Sequence, residues 1–217
     1  MNQSARRPRS EDRATDGRAP DGRAERGRQS RVKIAEAVLS LLDEGESSFP
    51  AERVAERAGV SRRLVFHHFA DMSELVETAI TRRLEQLIEQ IRPLPTAGPR
   101  DTRVAALTEQ RARILEWITP AQLTLMRLET PAGRVAEVTR EVLDLARARL
   151  AEIFAEELER LPAARRVEVL YGLDAVTTWG AWYHWRSSGL SAEAAASTME
   201  TAVHALLATT DRPGTGS

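Results

Sequence analysis

Residues 54–69 read Val-Ala-Glu-Arg-Ala-Gly-Val-Ser-Arg-Arg-Leu-Val-Phe-His-His-Phe, and this stretch decides the fold of the N-terminal part of the chain. Two short helices cross steeply only where their contact is small and the connecting turn is permissive. Ala55 supplies the small contact, and Gly59 can take the backbone conformation of the turn. Val60 and Val65 fill the space between the helices. The pattern predicts a helix-turn-helix.

Helices are also predicted on both sides of this motif. Apolar residues from Ser30 recur at three- and four-residue spacing, which predicts a first helix that ends at Gly45. Ser47 and Ser48 offer oxygens to cap a second helix at about 50–57.

The motif's second helix is capped by Ser61 and runs through His67. Asp71 or Ser73 caps a fourth helix that continues to about Ile91. Four helices therefore fit before the stretch Arg92-Pro-Leu-Pro-Thr-Ala-Gly-Pro99, whose prolines and glycine interrupt any helix.

The chain beyond this interruption is also predicted to be helical, which brings the total to about nine helices. The segments expected are 101–118, 120–129, 132–160, 163–187 and 191–209. We therefore expect an all-α protein that divides into an Arg-rich disordered tail at 1–28, a helix-turn-helix domain with its connecting fourth helix at 29–92, a larger helical domain at 99–210 and a disordered tail at 211–217.

The N-terminal tail has two interpretations. Residues 1–30 carry eight Arg and five acidic residues and almost no large apolar side chain. The tail either follows DNA, as basic arms do, or is a dispensable solvated extension, and the interleaved acids favour the second.

Composition excludes several classes of protein. The 217 residues contain no cysteine, which rules out disulfides, thiolate metal sites and cysteine nucleophiles. No apolar run approaches the ~18 residues of a membrane span, and the N-terminus lacks the apolar core of a secretion signal, so a cytoplasmic protein without membrane contact is expected. The net charge of −1 requires any surface that faces nucleic acid to be locally basic.

The sequence resembles the TetR/AcrR family of transcriptional regulators. The residues that carry the resemblance are Ala58-Gly59-Val60-Ser61, Val65-Phe66-His67-His68-Phe69 and Glu74-Leu75, together with Arg31, Ile34, Ala37 and Gly45. The resemblance implies a homodimer, a palindromic operator and a C-terminal domain that responds to a ligand.

The resemblance also implies which side chains contact DNA. Arg62, Arg63, Leu64 and His67 fall where the family reads base edges, and Ser61 and His68 fall where it holds phosphate. Ser48 and Phe66 complete the predicted set of DNA contacts. Guanidinium groups suit this role because they bind guanine O6 and N7 bidentately.

Three features leave the interpretation of this site open. Phe66 lacks the hydroxyl of the family's usual tyrosine, and Met72 replaces its usual lysine, so phosphate contacts are expected to be weaker. Arg62 and Arg63 are either base-reading residues or a solvated surface, and their position after the turn favours base reading.

Aromatic side chains are concentrated in the C-terminal helices. Trp117, Met126, Tyr171 and Thr178 are candidates to line a ligand site, although packing is an equal alternative. Trp182 and Trp185 are expected to pack in the core or the dimer interface.

Catalytic and metal chemistry are not expected. His67 and His68 diverge on a helix, and His184 and His204 lack carboxylate company, so no metal is predicted. No phosphate-binding loop or nucleophile motif occurs, so we expect neither an enzyme nor a cofactor.

The function expected is that of a sequence-specific DNA-binding transcriptional regulator. It would be a repressor, released from a palindromic operator in double-stranded DNA by an unknown small-molecule effector, and a homodimer through residues 163–187 and 191–209. The alternative is a helical ligand-binding or dimerisation protein whose helix-turn-helix does not read DNA. An exposed third helix favours the regulator, and a buried one favours the alternative.

Overall fold

The computed structural model describes residues 21–127 and 134–211, and every regular element in these ranges is helical. The elements are α1 (Asp21–Asp43), α2 (Ala51–Ala58), α3 (Arg62–His68), α4 (Met72–Gln90), α5 (Arg100–Leu125), α6 (Arg134–Ile153), α7 (Ala155–Glu159), α8 (Ala163–Val176), α9 (Trp179–Ser187) and α10 (Ala192–Ala208), with a 3₁₀ turn at Thr209–Asp211. The predicted all-α fold, a helix-turn-helix followed by a larger helical part, is confirmed.

Several helix ends are set by the residues that the sequence indicated. Gly45 follows α1 with a φ of 86°, in the left-handed region that favours glycine. The hydroxyl of Ser61 accepts a hydrogen bond from the Leu64 amide, and the Asp71 carboxylate accepts one from the Glu74 amide. Ser191 caps α10 in the same way through the Ala194 amide.

The second helix is an exception. Its N-cap is Pro50, which makes no side-chain capping hydrogen bond, so the caps predicted at Ser47 and Ser48 are wrong. Proline at this position has no amide hydrogen to leave unpaired, and its fixed φ suits the start of a helix.

Helix α1 begins at Asp21, whereas the tail was predicted to extend to residue 28. Glu25 accepts hydrogen bonds from the side chains of Arg28 and Gln29, and such pairs at three- and four-residue spacing support a helix without apolar burial. Hydrophobic periodicity could not detect this segment. The remainder of the predicted tails, residues 1–20 and 212–217, lies outside the described residues, as does the break predicted at Pro131.

Helix α5 runs through Pro120, where a break was predicted. Proline cannot donate to the Glu116 carbonyl and strains the preceding turn. Ile118 and Ala121 are both almost fully buried on either side of it. Continuous burial therefore outweighs the lost hydrogen bond.

Two segments predicted as single helices are each broken. After α6, Phe154 leaves the helical region with φ −111° and ψ 25°. The carbonyl of Ile153 accepts a hydrogen bond from Arg103 Nη1 at 2.6 Å. Between α8 and α9, the Thr177 hydroxyl donates to the Leu173 carbonyl at 2.9 Å, and Thr178 adopts an extended backbone. Side-chain donors that compete for helix carbonyls favour such breaks.

One apolar core joins the N-terminal helices to α5 and α6. Helix α4 packs against α1, α5 and α6. The core around it contains Leu75 and Ile80 from α4, Ile118 from α5 and Val138 from α6. The helix-turn-helix is therefore packed directly on the C-terminal helices.

A second core, formed by α5 to α8 and α10, contains a buried ion pair. Arg103 and Glu157 are each 2% exposed, and two hydrogen bonds of 2.6 and 2.9 Å join them. Burial by itself raises the pKa of Glu157, but hydrogen bonds from Arg103 and Arg100 more than offset it, so the pKa is lowered overall. Glu157 is therefore held as a carboxylate.

We expect the Glu157→Gln substitution to destabilise the fold strongly, because it leaves the buried Arg103 charge without a counterion. The expected loss in the free energy of unfolding is about 3–5 kcal/mol, measured by chemical denaturation at fixed protein concentration. Glu168→Gln is the control, since its ion pair with Arg165 is exposed and should contribute only about 0–1 kcal/mol. Equal losses in the two variants would contradict the assignment of Glu157 as a structural counterion.

Candidate nucleic-acid interface

The turn between α2 and α3 has the geometry that the motif requires. Gly59 adopts φ 61° and ψ 42°, and its amide donates to the Glu56 carbonyl at 3.1 Å. The Val60 amide donates to the Ala55 carbonyl at 2.9 Å. These bonds satisfy the last carbonyls of α2 while the chain reverses into α3.

Helix α3 buries one residue and exposes most of the others. Val65 is fully buried, whereas Arg62, Arg63, Phe66 and His67 are exposed. Ser61 is exposed at the N-cap, and Leu64 and His68 are half-buried. A single short helix therefore presents two guanidiniums and an imidazole to solvent.

Arg62 and Arg63 differ in their surroundings. Arg62 Nε lies 3.0 Å from a carboxylate oxygen of Glu52, in an exposed ion pair, and its guanidinium lies 5.4 Å from the centre of the Phe66 ring. Arg63 makes no ion pair with any residue in the ranges that the structure describes. Arg63 is therefore available to an external acceptor, and Arg62 becomes available by breaking a weak surface pair.

The two neighbouring arginines of α2 are engaged instead within the protein. Arg57 makes two 2.6 Å hydrogen bonds to the Glu44 carboxylate, and Arg53 pairs with Glu46 and Glu56. Among the arginines of α2 and α3, Arg63 is therefore the one whose charge has no carboxylate partner in the described residues.

The paired histidines at the end of α3 are in contact. Their ring centres are 5.3 Å apart in an edge-to-face arrangement. Burial lowers the pKa of His68, and the neighbouring His67 and Arg31 lower it further. His68 is thus biased toward its neutral form in the free protein.

Arg31 and Glu74 form a clamp that holds this end of α3. Arg31 donates to the His68 carbonyl, binds Glu74 Oε1 at 2.8 Å and covers the Phe69 ring at 4.2 Å. Glu74 Oε2 also accepts the Ala70 amide at 2.7 Å. The Asp71-x-x-Glu74 spacing is a signal for a helix start, but the partner Arg31 lies too far away in sequence to be inferred.

Ser48 and Met72 lie at the edge of this surface. Ser48 is exposed, and Met72 is half-buried against the N-terminal core. Both line a shallow open depression with Pro50 and Arg127. Met72 therefore offers an apolar thioether, and no charge, to this depression.

The four candidate ligand residues are dispersed. Trp117 is half-buried beneath the Arg83 guanidinium, 4.4 Å from its ring centre, and Tyr171 is 54% exposed and covered by Arg147 at 4.7 Å. Met126 is 65% exposed, and Thr178 is the N-cap residue of α9. None of them lines the open cavity of about 400 Å³ between α1, α4 and α6.

The remaining aromatic and histidine residues have ordinary structural surroundings. Trp182 is fully buried within the subunit, and its Nε1 donates to Glu116 at 2.9 Å. Trp185 packs beside it. His204 lies 3.9 Å from Asp101 and 4.0 Å from Glu200, so the expectation that it has no carboxylates nearby is wrong. The described residues contain no group of three or more potential metal ligands and no helix long and apolar enough to cross a membrane.

Comparison with known proteins identifies the N-terminal helices. Residues 34–79 match the model of the tetR family of bacterial regulatory proteins. No curated protein matches the chain.

Two solved structures share the fold. The tetR-family transcriptional regulator from Streptomyces coelicolor superposes with a TM-score of 0.65 at 21% identity, over 84% of this chain and 82% of that one. A transcriptional regulator from Rhodococcus sp. Rha1 gives a TM-score of 0.58 at 18% identity, over 85% of this chain and 100% of that one. At these identities the likeness establishes the fold.

We expect Glu74→Gln to loosen α3, because the variant loses the charge that holds Arg31 and the Ala70 amide. Amide hydrogen exchange should accelerate in α3, by about fivefold for a loss of ~1 kcal/mol. Glu77→Gln, one turn further along the same helix, should leave this exchange unchanged. Equal protection of α3 in the two variants would show that the clamp does not hold it.

Proposed function

We propose, from the premise that this chain carries the DNA-binding domain of the tetR family at residues 34–79, that it is a sequence-specific transcriptional repressor which leaves a palindromic operator when a small molecule binds. The observation that carries the proposal is the exposed face of α3. The alternative, a helical binding protein that does not read DNA, would leave the free guanidinium of Arg63 at the surface without a role.

The proposed contacts divide into base readers and phosphate binders. Arg62, Arg63, Leu64 and His67 face the base edges, where guanidiniums recognise guanine and Leu64 covers a thymine methyl. Ser61, His68, Ser48 and Phe66 lie at the phosphate backbone, and the N-terminal end of α3 favours the anion. Because Phe66 and Met72 contribute neither a hydroxyl nor a charge, the base contacts carry an unusual share of the affinity.

A homodimer through α8 to α10, within the predicted segments 163–187 and 191–209, would place two α3 helices in successive major grooves. Such half-sites are about 34–36 Å apart. The outer face of α8 supports this arrangement, since Val167 is 53% and Tyr171 54% exposed. Several exposed side chains of α10 are small and allow a second helix to approach closely; they include Ala194, Ser197 and Thr201.

Helix α4 is the proposed route by which an effector changes the spacing of the α3 helices. Its Arg83 is 3% exposed, binds both oxygens of Asp43 at 2.8 and 2.7 Å, and stacks on Trp117 of α5. Arg83 therefore joins the end of α1 to the C-terminal helices. Coupling energies of about 1–3 kcal/mol suffice for release from DNA.

The proposal is tested by selecting bound sequences from random double-stranded DNA with the purified full-length protein. A palindrome with half-sites one turn apart supports the dimeric reader. Recovery of no sequence preference, at any salt concentration, would favour the alternative.

We expect Arg62→Ala and Arg63→Ala each to weaken binding to the selected site by about 1–3 kcal/mol, and to weaken binding to random DNA much less. Arg160→Ala, at the end of α7 and outside the proposed dimer segments, is the control and should leave both affinities unchanged. Equal losses on selected and random DNA would reassign the two arginines to phosphate.

We expect affinity for DNA to rise as the pH falls through the range below the ordinary histidine pKa of 6.5. The lowered pKa keeps His68 neutral in the free protein, whereas a phosphate contact raises its pKa, so binding takes up a proton. Dissociation constants between about pH 7.5 and 5.5 should show a pH dependence that His68→Gln reduces.

Lowering the pH is expected to destabilise the folded protein through His68, whereas it strengthens DNA binding. The opposite signs distinguish the effect on folding from the effect on binding. Because the folded-state pKa of His68 is lowered, its contribution to stability is present above the unfolded-state pKa and is lost as the pH falls below that value and through the folded-state pKa. A pH profile of DNA affinity that is identical in His68→Gln would remove His68 from the interface.

We expect Val167→Glu to convert the dimer to monomers, because it places a charge in an apolar contact. Sedimentation equilibrium measures the mass. Val32→Glu is the control, since Val32 on α1 is 50% exposed and lies away from α8 and α10. A wild-type chain that sediments as a monomer, or a Val167→Glu variant that remains dimeric, would contradict this interface.

A further inference from the structure

A second cavity lies between α5, α6 and the linker that follows α4. Its apolar lining includes Ile91, Leu94, Leu107, Ile114 and Ile153. Its charged lining residues are Arg92, Arg111 and Arg149, and no acidic residue lines it within the part of the chain that the structure describes. Arg149 is paired with Glu152 at 2.6 Å, so the uncompensated positive charge of this mostly apolar cavity comes from Arg92 and Arg111.

Arg111 has little to balance its charge. Its only hydrogen bond in the described ranges runs from Nη2 to the Ala146 carbonyl, at a long 3.4 Å. Asp174 attracts it from beyond hydrogen-bonding distance, but that carboxylate already accepts two 3.1 Å hydrogen bonds from Arg147. Two guanidiniums thus share one carboxylate.

Arg103, two turns earlier on α5, is a buried arginine whose guanidinium has a full set of hydrogen-bond partners. It binds both oxygens of Glu157 and the Ile153 carbonyl. Partners raise the pKa of Arg103, whereas burial lowers that of Arg111. Arg111 is partly buried, and a charge held there by one long hydrogen bond is costly unless something else binds it.

We propose that this cavity binds a monovalent anion, either a free halide or the carboxylate head of an apolar acid, with Arg111 as the innermost contact. The volume of about 20 Å³ admits one small group. Arg92 is exposed and Arg149 is partly exposed, so both can attract the anion, whereas an apolar tail is too large for this volume and would extend outward along Leu94 and Ile91. In the regulator proposed above, this anion is the effector that releases DNA. That assignment rests on the proposed function.

Anion binding is tested on the full-length protein without DNA, so that the result does not depend on operator recognition. Calorimetry and thermal melting are measured with sodium chloride, sodium acetate and sodium hexanoate, at an ionic strength held constant with sodium isethionate. Wild type should bind saturably and melt at a higher temperature as the anion is added. Arg111→Met should lose this response and, without anion, should melt no lower than wild type.

Arg113→Met is the matched control, because Arg113 is an exposed arginine of α5 that also makes one 3.4 Å hydrogen bond. It should respond as wild type does. Leu94→Phe narrows the cavity and leaves Arg111 in place, so it should raise the dissociation constant of the anion at least tenfold. This variant tests the site independently if Arg111→Met fails to fold. Tighter binding of hexanoate than of chloride assigns an apolar acid, and tighter binding of chloride than of hexanoate assigns a halide.

The proposal is overturned if no anion binds wild type saturably or if Arg111→Met binds with the wild-type constant. Operator affinity is measured last. A loss of affinity with saturating anion supports its role as effector, whereas unchanged affinity removes that role and leaves the anion site intact. Failure of operator binding alone would count against the proposed function and not against the site.

Discussion

The burial of α4 between the N-terminal helices and α5 and α6 is the constraint on which the rest of the structure depends. A helix that is close-packed against several helices cannot move relative to one of them without disturbing its contacts with the others. A shift of one neighbour of α4 is therefore transmitted to the rest. Arg83 strengthens this constraint, because its guanidinium reaches Asp43 at the end of α1 and stacks on Trp117 of α5. The position of the helix-turn-helix is thus tied to the C-terminal helices by packing and by one buried charge.

The arginines of this chain fall into two groups according to their partners. Most are matched by carboxylates, as Arg103 is by Glu157 and Arg57 by Glu44. Arg63 and Arg111 are not matched in this way within the described residues, and neither are several others, among them Arg92 and Arg113. A guanidinium always carries its charge in proteins, so the unmatched ones are the positions where an external anion gains most. Arg63 is exposed on α3, and Arg111 lines the cavity between α5, α6 and the linker after α4.

Local chemistry and tertiary packing contributed differently to helix boundaries. The ends at Gly45, Ser61, Asp71 and Ser191 could be predicted, because each depends on a residue's own backbone preference or capping oxygen. Sequence alone could not predict that α5 continues through Pro120, because burial overrides the local preference there. It could not predict the breaks at Phe154 and Thr177 either, because they accompany side-chain hydrogen bonds to helix carbonyls. The early start of α1 was missed because surface pairs, rather than apolar spacing, support it.

The sequence by itself determined the helix-turn-helix and the side chains that α3 presents, since the small residue, the permissive glycine and the buried valine act within a few residues of one another. Only the tertiary structure decided which charges are free. Arg62 and Arg63 are neighbours in sequence, yet only Arg62 meets Glu52; Arg31 is joined to Glu74, and Arg111 lacks what Arg103 has. Pairing depends on distances of a few ångströms between helices that are far apart in the chain, and a linear pattern does not contain those distances.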